Sequence, residues 1–262
     1  MELQIIHNRK AVYEFLSIKK RYDYIYQFNN LEEKNWNNVI CFGLFDKSYL
    51  KEIAMLNINY GIPVLLAAGF DNIEYSVELL KRLKPFLPNK LYTHIDKQVL
   101  DNVFDAESID ELEEYMNMGL DNYNMLEKNC SNQAIRLGAD KLNDIKALMK
   151  ESYPEAWLDD ELVSLNENFG IYLDGKLISF AGIHAYSEEY QVAAVAHVTT
   201  HPFYRNKGYA EKTTNALLNS LKDRVKFIGL NVRIENHNAI KCYKKLGFTV
   251  YGKFAACRIT NK

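Results

Sequence analysis

An Asp-Gly pair at residues 174–175 separates two apolar runs and restricts how the chain around it can fold. The run before the pair is GIYL, and the run after it is KLISFAGI. Asp-Gly supplies the positive φ angles of a two-residue type I′ turn, which joins antiparallel strands in a fixed register. A third apolar run, Gln191 to Thr200, follows a polar turn at residues 187–189. The spacing therefore predicts three consecutive antiparallel strands.

Helices are predicted on both sides of this three-stranded segment. Asp140 is a candidate N-cap for a helix that stops before Pro154, with one apolar face formed by Leu142, Ile145, Leu148 and Met149. A second helix begins near Lys207, with one face formed by Ala210, Thr214, Leu217, Leu218 and Leu221. A strand at residues 227–232 and a short helix from Asn236, ended by Gly247, complete the pattern. With a short strand at residues 133–137, the predicted order is strand, helix, three antiparallel strands, helix, strand, helix, strand.

The N-terminal half also alternates helices and strands, without a Gly-rich phosphate loop or metal-ligand spacing. We expect helices at residues 10–28, 73–83 and 110–117, and strands at residues 38–45, within 61–70 and at 91–95. A polar stretch without apolar periodicity, Lys128 to Asn132, indicates a domain boundary. The prediction is an N-terminal α/β domain of unknown role at residues 1–129 and a second domain at residues 130–262.

Composition excludes several classes of protein. Lys and Arg total 32 against 34 Asp and Glu, a formal net charge of −2, which argues against a large nucleic-acid-binding surface. No apolar run approaches the ~18 residues of a membrane-spanning helix. The four cysteines have no paired C-x-x-C spacing, so neither a zinc site nor a disulfide framework is indicated. The N-terminus lacks the features of a signal peptide, and we expect a cytoplasmic protein.

The turn HPFYRNKGYA, residues 201–210, has the features of an anion site. Free N–H groups at a helix start attract anions, Arg205 and Lys207 lie beside them, and Gly208 lets a ligand approach the backbone. Phosphate is the natural ligand for such a turn. The alternative is that both cations are solvated at an ordinary surface turn and that the glycine serves only the turn geometry.

A second motif one strand further on strengthens the first interpretation. R-x-x-G-x-A at residues 205–210 is followed by N-x-x-A-x-x-x-Y-x-x-L-G-F at residues 236–248. Together they resemble the two-part signature of the GNAT superfamily of N-acetyltransferases, from about Gln133 to the end of the chain. The resemblance implies an α/β fold, more closely α+β, with a mixed, mostly antiparallel central sheet flanked by helices. The two-domain layout is similar to acyltransferases of the glycine N-acyltransferase type, whose first half is a degenerate copy of the same fold.

The resemblance also implies a site for an acyl-coenzyme A between two parallel strands that splay apart. The backbone of Val198, Thr199 and Thr200 corresponds to the part that holds the pantetheine arm. The pyrophosphate cradle corresponds to Arg205, Asn206, Lys207, Gly208, Tyr209 and Ala210. Asn236 corresponds to a residue that meets the cofactor arm, and Tyr243 to the general acid near the thioester sulfur. Asn236 could instead serve only as an N-cap, and Tyr243 only as a core residue.

The residues assigned by this resemblance include no clear general base. Several family members carry a glutamate at the position of Ala194, and the run VAAVAHVTT contains no carboxylate. His197 is the titratable group on the predicted strand, although strict alternation would direct it to the opposite face. A water relay to a distant acid is the alternative, with His184 and Glu189 as further candidates.

The implied function is acyl transfer from acetyl-coenzyme A to the primary amine of a small molecule or amino acid, by direct attack in a ternary complex. No metal, nucleic acid or membrane is expected to take part. The alternatives are a non-catalytic acyl-coenzyme A-binding or sensing module and a protein lysine or N-terminal acetyltransferase. The sequence leaves the acceptor, the acyl length and the oligomeric state open, a homodimer included.

Overall fold

A computed structural model of the protein describes residues 1–19, 21–67, 71–127, 133–154, 163 and 167–261. The chain divides into two compact units. Unit 1 comprises Met1–Asn117 and Tyr251–Lys262, and unit 2 comprises Met118–Val250. The predicted boundary at residues 128–132 lies outside the described residues. Within the described ranges, no helix is both long and apolar enough to cross a bilayer.

Unit 1 contains a sheet with helices between its strands. Its strands are β1 (Glu2–Ile5), β2 (Val39–Asp46), β3 (Tyr49–Asn57), β4 (Val64–Ala67), β5 (Lys90–Ile95) and the first part of β6 (Ile109–Leu120). Its helices are α1 (Arg9–Ser17), α2 (Ile25–Asn30), α3 (Glu33–Trp36), α4 (Ile73–Leu83) and α5 (Lys97–Val103). Strands β1 to β4 pair antiparallel in sequence order, and β4 pairs parallel with β5. The apolar faces of α4 and α5 pack with these strands in one core cluster.

Two expectations for unit 1 are wrong, and one strand is absent from the prediction. The helix expected over residues 10–28 is interrupted after Ser17, whose hydroxyl donates to the Glu14 carbonyl, and a 3₁₀ turn at Arg21–Tyr24 precedes α2. The helix expected at residues 110–117 is part of strand β6, where Tyr115 stacks on Phe254 at 5.5 Å; this packing outweighs the helix propensity of its glutamates. Strand β3 is missing from the prediction, because its first half reads as polar.

Unit 2 contains the motifs. Its helices are α6 (Asn124–Glu127), α7 (Leu142–Ser152), α8 (Tyr209–Leu221) and α9 (His237–Lys245). Its strands are β7 (Ile135–Arg136), β8 (Phe169–Leu173), β9 (Lys176–Ser187), β10 (Val192–Thr200), β11 (Phe227–Arg233) and the start of β12 (Phe248–Thr260). Strands β7 to β10 pair antiparallel in sequence order, and β10 pairs parallel with β11.

The predicted hairpin in unit 2 is confirmed. Asp174 and Gly175 have φ angles of 50° and 76°, and β8 and β9 pair on either side of them.

The expected N-cap at Asp140 is wrong. Asp140 lies within a 3₁₀ turn at Ala139–Lys141, and α7 begins only after that turn, with Lys141 at the N-cap. The tighter turn places the aspartate too early to cap the α-helix.

The two units share one order of elements. From β1 in unit 1 and from β7 in unit 2, a strand and a helical segment are followed by three antiparallel strands, and then by a helix, a parallel strand, a helix and a strand. In unit 1, residues 255–260 of β12 pair antiparallel with β5. The expected α/β class with a mixed, mostly antiparallel sheet is confirmed, and the N-terminal unit repeats the topology of the C-terminal one.

Candidate functional site

The parallel pairing of β10 with β11 covers only the first part of both strands. It runs from Val192 opposite Phe227 to Val195 opposite Leu230 and stops there, although both strands continue. The ladder therefore opens beside the second half of β10. An extended ligand can add to such an opening through main-chain hydrogen bonds, with little demand on side-chain identity.

Strand β10 bulges at the same place. Its register with β9 passes from Ala196 opposite Gly182 to Thr199 opposite Phe180, so two residues, His197 and Val198, oppose one residue of β9. His197 has φ of 55°, in the left-handed region that β-carbons disfavour. A bulge interrupts side-chain alternation, so strict alternation does not predict the face of this strand on which His197 lies.

His184 and His197 lie together at two register shifts. His184 is skipped where the pairing passes from Ala194–Ala185 to Val195–Ile183. The two imidazole rings are 5.9 Å apart at 76°, an edge-to-face contact, and both residues are half-buried. Glu189, the third candidate base, is exposed in the turn after β9. The fold therefore brings two of the three candidates into contact.

The turn before α8 presents backbone rather than side chains. Asn206 and Gly208 have φ angles of 62° and 78°, and Gly208 is the N-cap of α8. The first N–H groups of a helix have no intrahelical partner. A β-carbon at Gly208 would meet nothing within 4 Å, so the space above these groups is open. Open N–H groups beside a glycine suit a pyrophosphate, and the residues fit the group that the motif implies.

Arg205 has a different role from the one its charge suggests. Its Nε donates to the Thr200 carbonyl at 3.1 Å, and its Nη2 donates to the Ser152 carbonyl at 3.1 Å. The guanidinium thus ties the turn to the ends of β10 and α7. Lys207 extends over the Tyr204 ring, with its Nζ 5.5 Å from the ring centroid. Of the two motif cations, Lys207 is the one without a hydrogen-bonded protein partner among the described residues.

A buried hydroxyl cluster lies beneath the turn. The Ser179 Oγ is 3.0 Å from the Thr200 Oγ1 and 3.2 Å from the Thr213 Oγ1, and it donates to the Thr199 carbonyl at 3.1 Å. Thr213 in turn donates to carbonyls in the first turn of α8. Strands β9 and β10 and helix α8 are therefore held at one point. The cluster is not predicted from the sequence, where its only signal is polar residues within apolar elements.

A second cluster braces the start of the turn. His201 is buried, and its Nε2 is 2.8 Å from a Glu151 carboxylate oxygen that also accepts from Lys176 at 2.9 Å. The other ring nitrogen of His201 accepts from the Phe203 N–H. These contacts join α7, β9 and the 3₁₀ turn at Pro202–Tyr204. The sequence predicts only that His201 begins a turn. Its partners Glu151 and Lys176 cannot be identified from sequence spacing.

Asn236 caps the start of α9, and Tyr243 lies near its end. The Asn236 side chain accepts from the Ala239 N–H at 3.2 Å, the N-cap contact considered as its alternative role. Capping uses the amide oxygen, and the amide NH₂ stays available because the residue is exposed. Tyr243 is buried, with its ring 5.9 Å from that of Phe248. Burial, with smaller contributions from Cys242 and Tyr153, raises the pKa of this phenol, so it is protonated at neutral pH.

Comparison with protein families adds an independent observation. The Acetyltransferase (GNAT) family model matches residues 142–248. These residues form a GNAT acetyltransferase domain. The GNAT domain runs from α7 to the start of β12 and contains the open ladder, the turn before α8 and α9. The family indicates acyl transfer from an acyl-coenzyme A. No curated protein matches the chain.

Solved structures resemble the whole chain rather than the GNAT domain alone. An acetyltransferase of the GNAT family from Novosphingobium aromaticivorans has a TM-score of 0.61 at 17% identity, covering 90% of this chain and 96% of its own. A Drosophila protein has a TM-score of 0.71 at 11% identity, covering 99% of both chains. A tandem GNAT protein from the clavulanic acid biosynthesis pathway has a TM-score of 0.58 at 11% identity, covering 100% and 99%. At these identities the likeness concerns the fold, and it agrees with the topology repeated in the two units.

Proposed function

We propose that the GNAT domain transfers an acetyl group from acetyl-coenzyme A to the primary amine of a small molecule or amino acid, by direct attack in a ternary complex. The observation that carries the proposal is the opening of the β10–β11 ladder after Val195, next to a turn with outward-facing N–H groups. The open ladder suits the extended pantetheine arm, and the turn suits the pyrophosphate.

The donor would be held mainly by backbone. The Thr199 carbonyl already accepts from Ser179, and the Thr200 carbonyl from Arg205. Val198 is thus the residue of the assigned three whose main chain is least engaged by side chains. The N–H groups from Asn206 to Ala210 would hold the pyrophosphate, with Lys207 as the nearby cation, and Asn236 would contact the arm. Acyl-coenzyme A supplies a thioester, an acyl group already activated for attack by an amine.

Two groups of the chain would act on the reacting atoms. The Val198 N–H donates to the carbonyl oxygen that gains negative charge as the new C–N bond forms. Tyr243 delivers its proton to the sulfur as the C–S bond breaks. A buried phenol with a raised pKa keeps that proton at neutral pH, as a general acid must.

His197 would remove the proton that the amine must lose. A primary amine in water has a pKa of about 10 and is mostly protonated at neutral pH, so a base is needed before or during attack. His197 is in the bulge beside Val198, in contact with His184. Residues held at left-handed φ are over-represented at functional sites, which supports this choice over a distant acid.

One observation favours a second function, an acyl-coenzyme A-binding module without chemistry. Ala194 occupies the position at which several family members carry a glutamate, and it is 1% exposed between Ala185 and Gly229. No acid can enter that position without repacking. A module of this kind would keep the turn and the open ladder and would lack turnover.

Thiol release from acetyl-coenzyme A over a broad panel of amines separates the two functions. The proposal expects release that depends on at least one small amine or amino acid. A parallel titration measures coenzyme A binding. Tight binding with no amine-dependent release on the whole panel, including lysine-containing and N-terminal peptides, would exclude catalysis and leave the binding module.

A further inference from the structure

The turn that leads from β10 to α8 is held by few side-chain contacts. The Phe203 ring is 86% exposed, so it does not anchor the turn by packing. Gly208, the N-cap of α8, has no side chain with which to cap the helix. Within the described ranges, Arg205 and His201 are the side chains of the turn that hydrogen-bond to backbone. The position of the N–H groups in the turn therefore depends on these two side chains.

His201 holds the turn through a ring nitrogen that accepts a hydrogen bond. Its Nδ1 accepts from the Phe203 N–H at 3.3 Å and caps the 3₁₀ segment at Pro202–Tyr204. A ring nitrogen that accepts carries no proton, so the proton of the neutral imidazole lies on Nε2. Nε2 is 2.8 Å from a Glu151 carboxylate oxygen, to which it donates. A carboxylate on one ring nitrogen fixes the tautomer and leaves the other nitrogen as the acceptor.

The charged groups that face the buried His201 ring lie on its Nε2 side. Glu151 comes from α7, and Lys176 from β9 places its Nζ 3.3 Å from Nε2. The hydrogen bond from Lys176, with a smaller contribution from His201, lowers the pKa of the Glu151 carboxyl, which is therefore ionised at neutral pH. Within the turn, the Tyr204 ring is 5.5 Å from the imidazole, and Arg205 follows it along the chain. Glu151 favours a protonated imidazole and Lys176 opposes it, and both act through the nitrogen that does not bond the turn.

We propose that His201 is a positioning residue for the turn before α8, and that it holds the turn only while Nδ1 carries no proton. A second proton on the ring converts Nδ1 from an acceptor to a donor and sets it against the Phe203 N–H, so their hydrogen bond is lost. Imidazole is the side chain that gains a proton as the pH falls from about 8 to about 5. Donor binding should therefore weaken at acidic pH. The inference rests on the proposed function, because it takes the turn to hold the pyrophosphate of the donor.

Calorimetric titration of the full-length protein with coenzyme A at about pH 8 and at about pH 5.5 tests the proposal, because imidazole titrates between these values. His201→Asn should bind like the wild type at the higher pH, because an asparagine oxygen accepts from the N–H two residues further on and does not titrate. His201→Ala has no acceptor and should bind about tenfold more weakly at the higher pH, the effect of one lost hydrogen bond. On acidification, the wild type should lose about tenfold more affinity than His201→Asn.

Two controls isolate the histidine. The phosphomonoester of coenzyme A itself titrates near about pH 6, and His201→Asn measures that contribution, together with those of the other histidines. The effect of His201 is therefore the excess loss of affinity in the wild type. His7→Asn makes the same substitution at an exposed histidine of unit 1 and should retain the full pH dependence of the wild type.

The Phe203 amide gives a second measurement that needs no donor. In the free protein labelled with ¹⁵N-phenylalanine, its resonance is assigned by its loss in Phe203→Tyr. The resonance should shift between the two pH values in the wild type and stay in place in His201→Asn. A resonance that shifts equally in both proteins, or in neither, would overturn the positioning role.

The outcomes separate the role of His201 from the proposed function. Equal pH dependence of coenzyme A affinity in the wild type and His201→Asn, or wild-type affinity in a folded His201→Ala, overturns the positioning role and leaves the donor site intact. A wild type that binds no coenzyme A at either pH overturns the proposed function, and the Phe203 resonance then still decides whether His201 holds the turn. Circular dichroism checks the fold of each variant, and His201→Asn decides the matter if His201→Ala does not fold.

Discussion

The Arg205 guanidinium donates from Nε to the Thr200 carbonyl at 3.1 Å, so the arginine of the R-x-x-G-x-A motif braces the turn from within. Its second bond, to the Ser152 carbonyl, extends the brace to the end of α7. Arg205 therefore has two contributions that can be tested separately. Its positive charge would attract a phosphate, and its planar guanidinium holds the backbone of the turn.

Substitution of Arg205 separates these two contributions. We expect Arg205→Gln to weaken coenzyme A binding about tenfold, because two charge-assisted hydrogen bonds that shape the turn are lost. Arg205→Lys should be nearly as weak, since an ammonium cannot span both carbonyls. Titration calorimetry measures both. Wild-type affinity in the lysine variant would show that charge, not the brace, is what the turn needs.

Removal of the Ser179 hydroxyl should loosen β10 from α8. Ser179→Ala deletes the group at the centre of the buried cluster and leaves the Thr200 and Thr213 hydroxyls to find other partners. We expect a loss of about 1–2 kcal/mol in the free energy of unfolding, together with a higher KM for the donor and little change in kcat. Urea denaturation and initial rates test this. An unchanged KM would mean that the cluster stabilises the fold without shaping the donor site.

Two glycines with left-handed backbone offer a matched test of packing at the end of α9. Gly247 has φ of 98°, and a β-carbon there would lie 2.4 Å from the Asn122 carbonyl oxygen. Gly175 has φ of 76°, and nothing lies within 4 Å of a β-carbon there. Gly175→Ala should lower the free energy of unfolding by about 1 kcal/mol from strain alone. Gly247→Ala should lower it further, because backbone must move as well. Equal losses in urea denaturation would contradict the close contact with Asn122.

His197 and His184 are predicted to differ in effect. His197→Gln should lower kcat by about a hundredfold without changing the Kd for coenzyme A, since a general base acts on the amine and not on the donor. His184→Gln should lower kcat less, because His184 contacts His197 and is not itself assigned to the amine. Steady-state rates at saturating donor make the comparison. A fully active His197→Gln variant would instead support the water relay.

Parts of both units could be predicted because their signals are local. In unit 1, helix α4 begins and ends at the predicted residues. In unit 2, the Asp174–Gly175 turn has the expected geometry. The prediction for strand β6 is wrong because its acidic residues favour a helix in isolation, whereas stacking of Tyr115 on Phe254 depends on a strand far along the chain.

The supports of the site could not be predicted for the same physical reason. Ser179 and Thr213 are 34 positions apart, and Lys176 and His201 are 25 apart, so no local periodicity links them. The bulge at His197 is equally hidden, because a run of small apolar residues reads as an uninterrupted strand. The motif residues could be assigned by resemblance, and their roles in donor binding and proton transfer stay predictions.

Tyr243→Phe tests the central claim most directly, by comparing amine-dependent thiol release with coenzyme A affinity in the same protein. The raised pKa keeps the phenol protonated up to and beyond the usual value of about 10, so the wild type should show no alkaline loss of kcat from this group below that pH. Removal of the hydroxyl should lower kcat by about a hundredfold and leave the Kd for coenzyme A within about twofold. Unchanged turnover in Tyr243→Phe, with binding retained, would contradict the assignment of Tyr243 as the acid and the mechanism built on it.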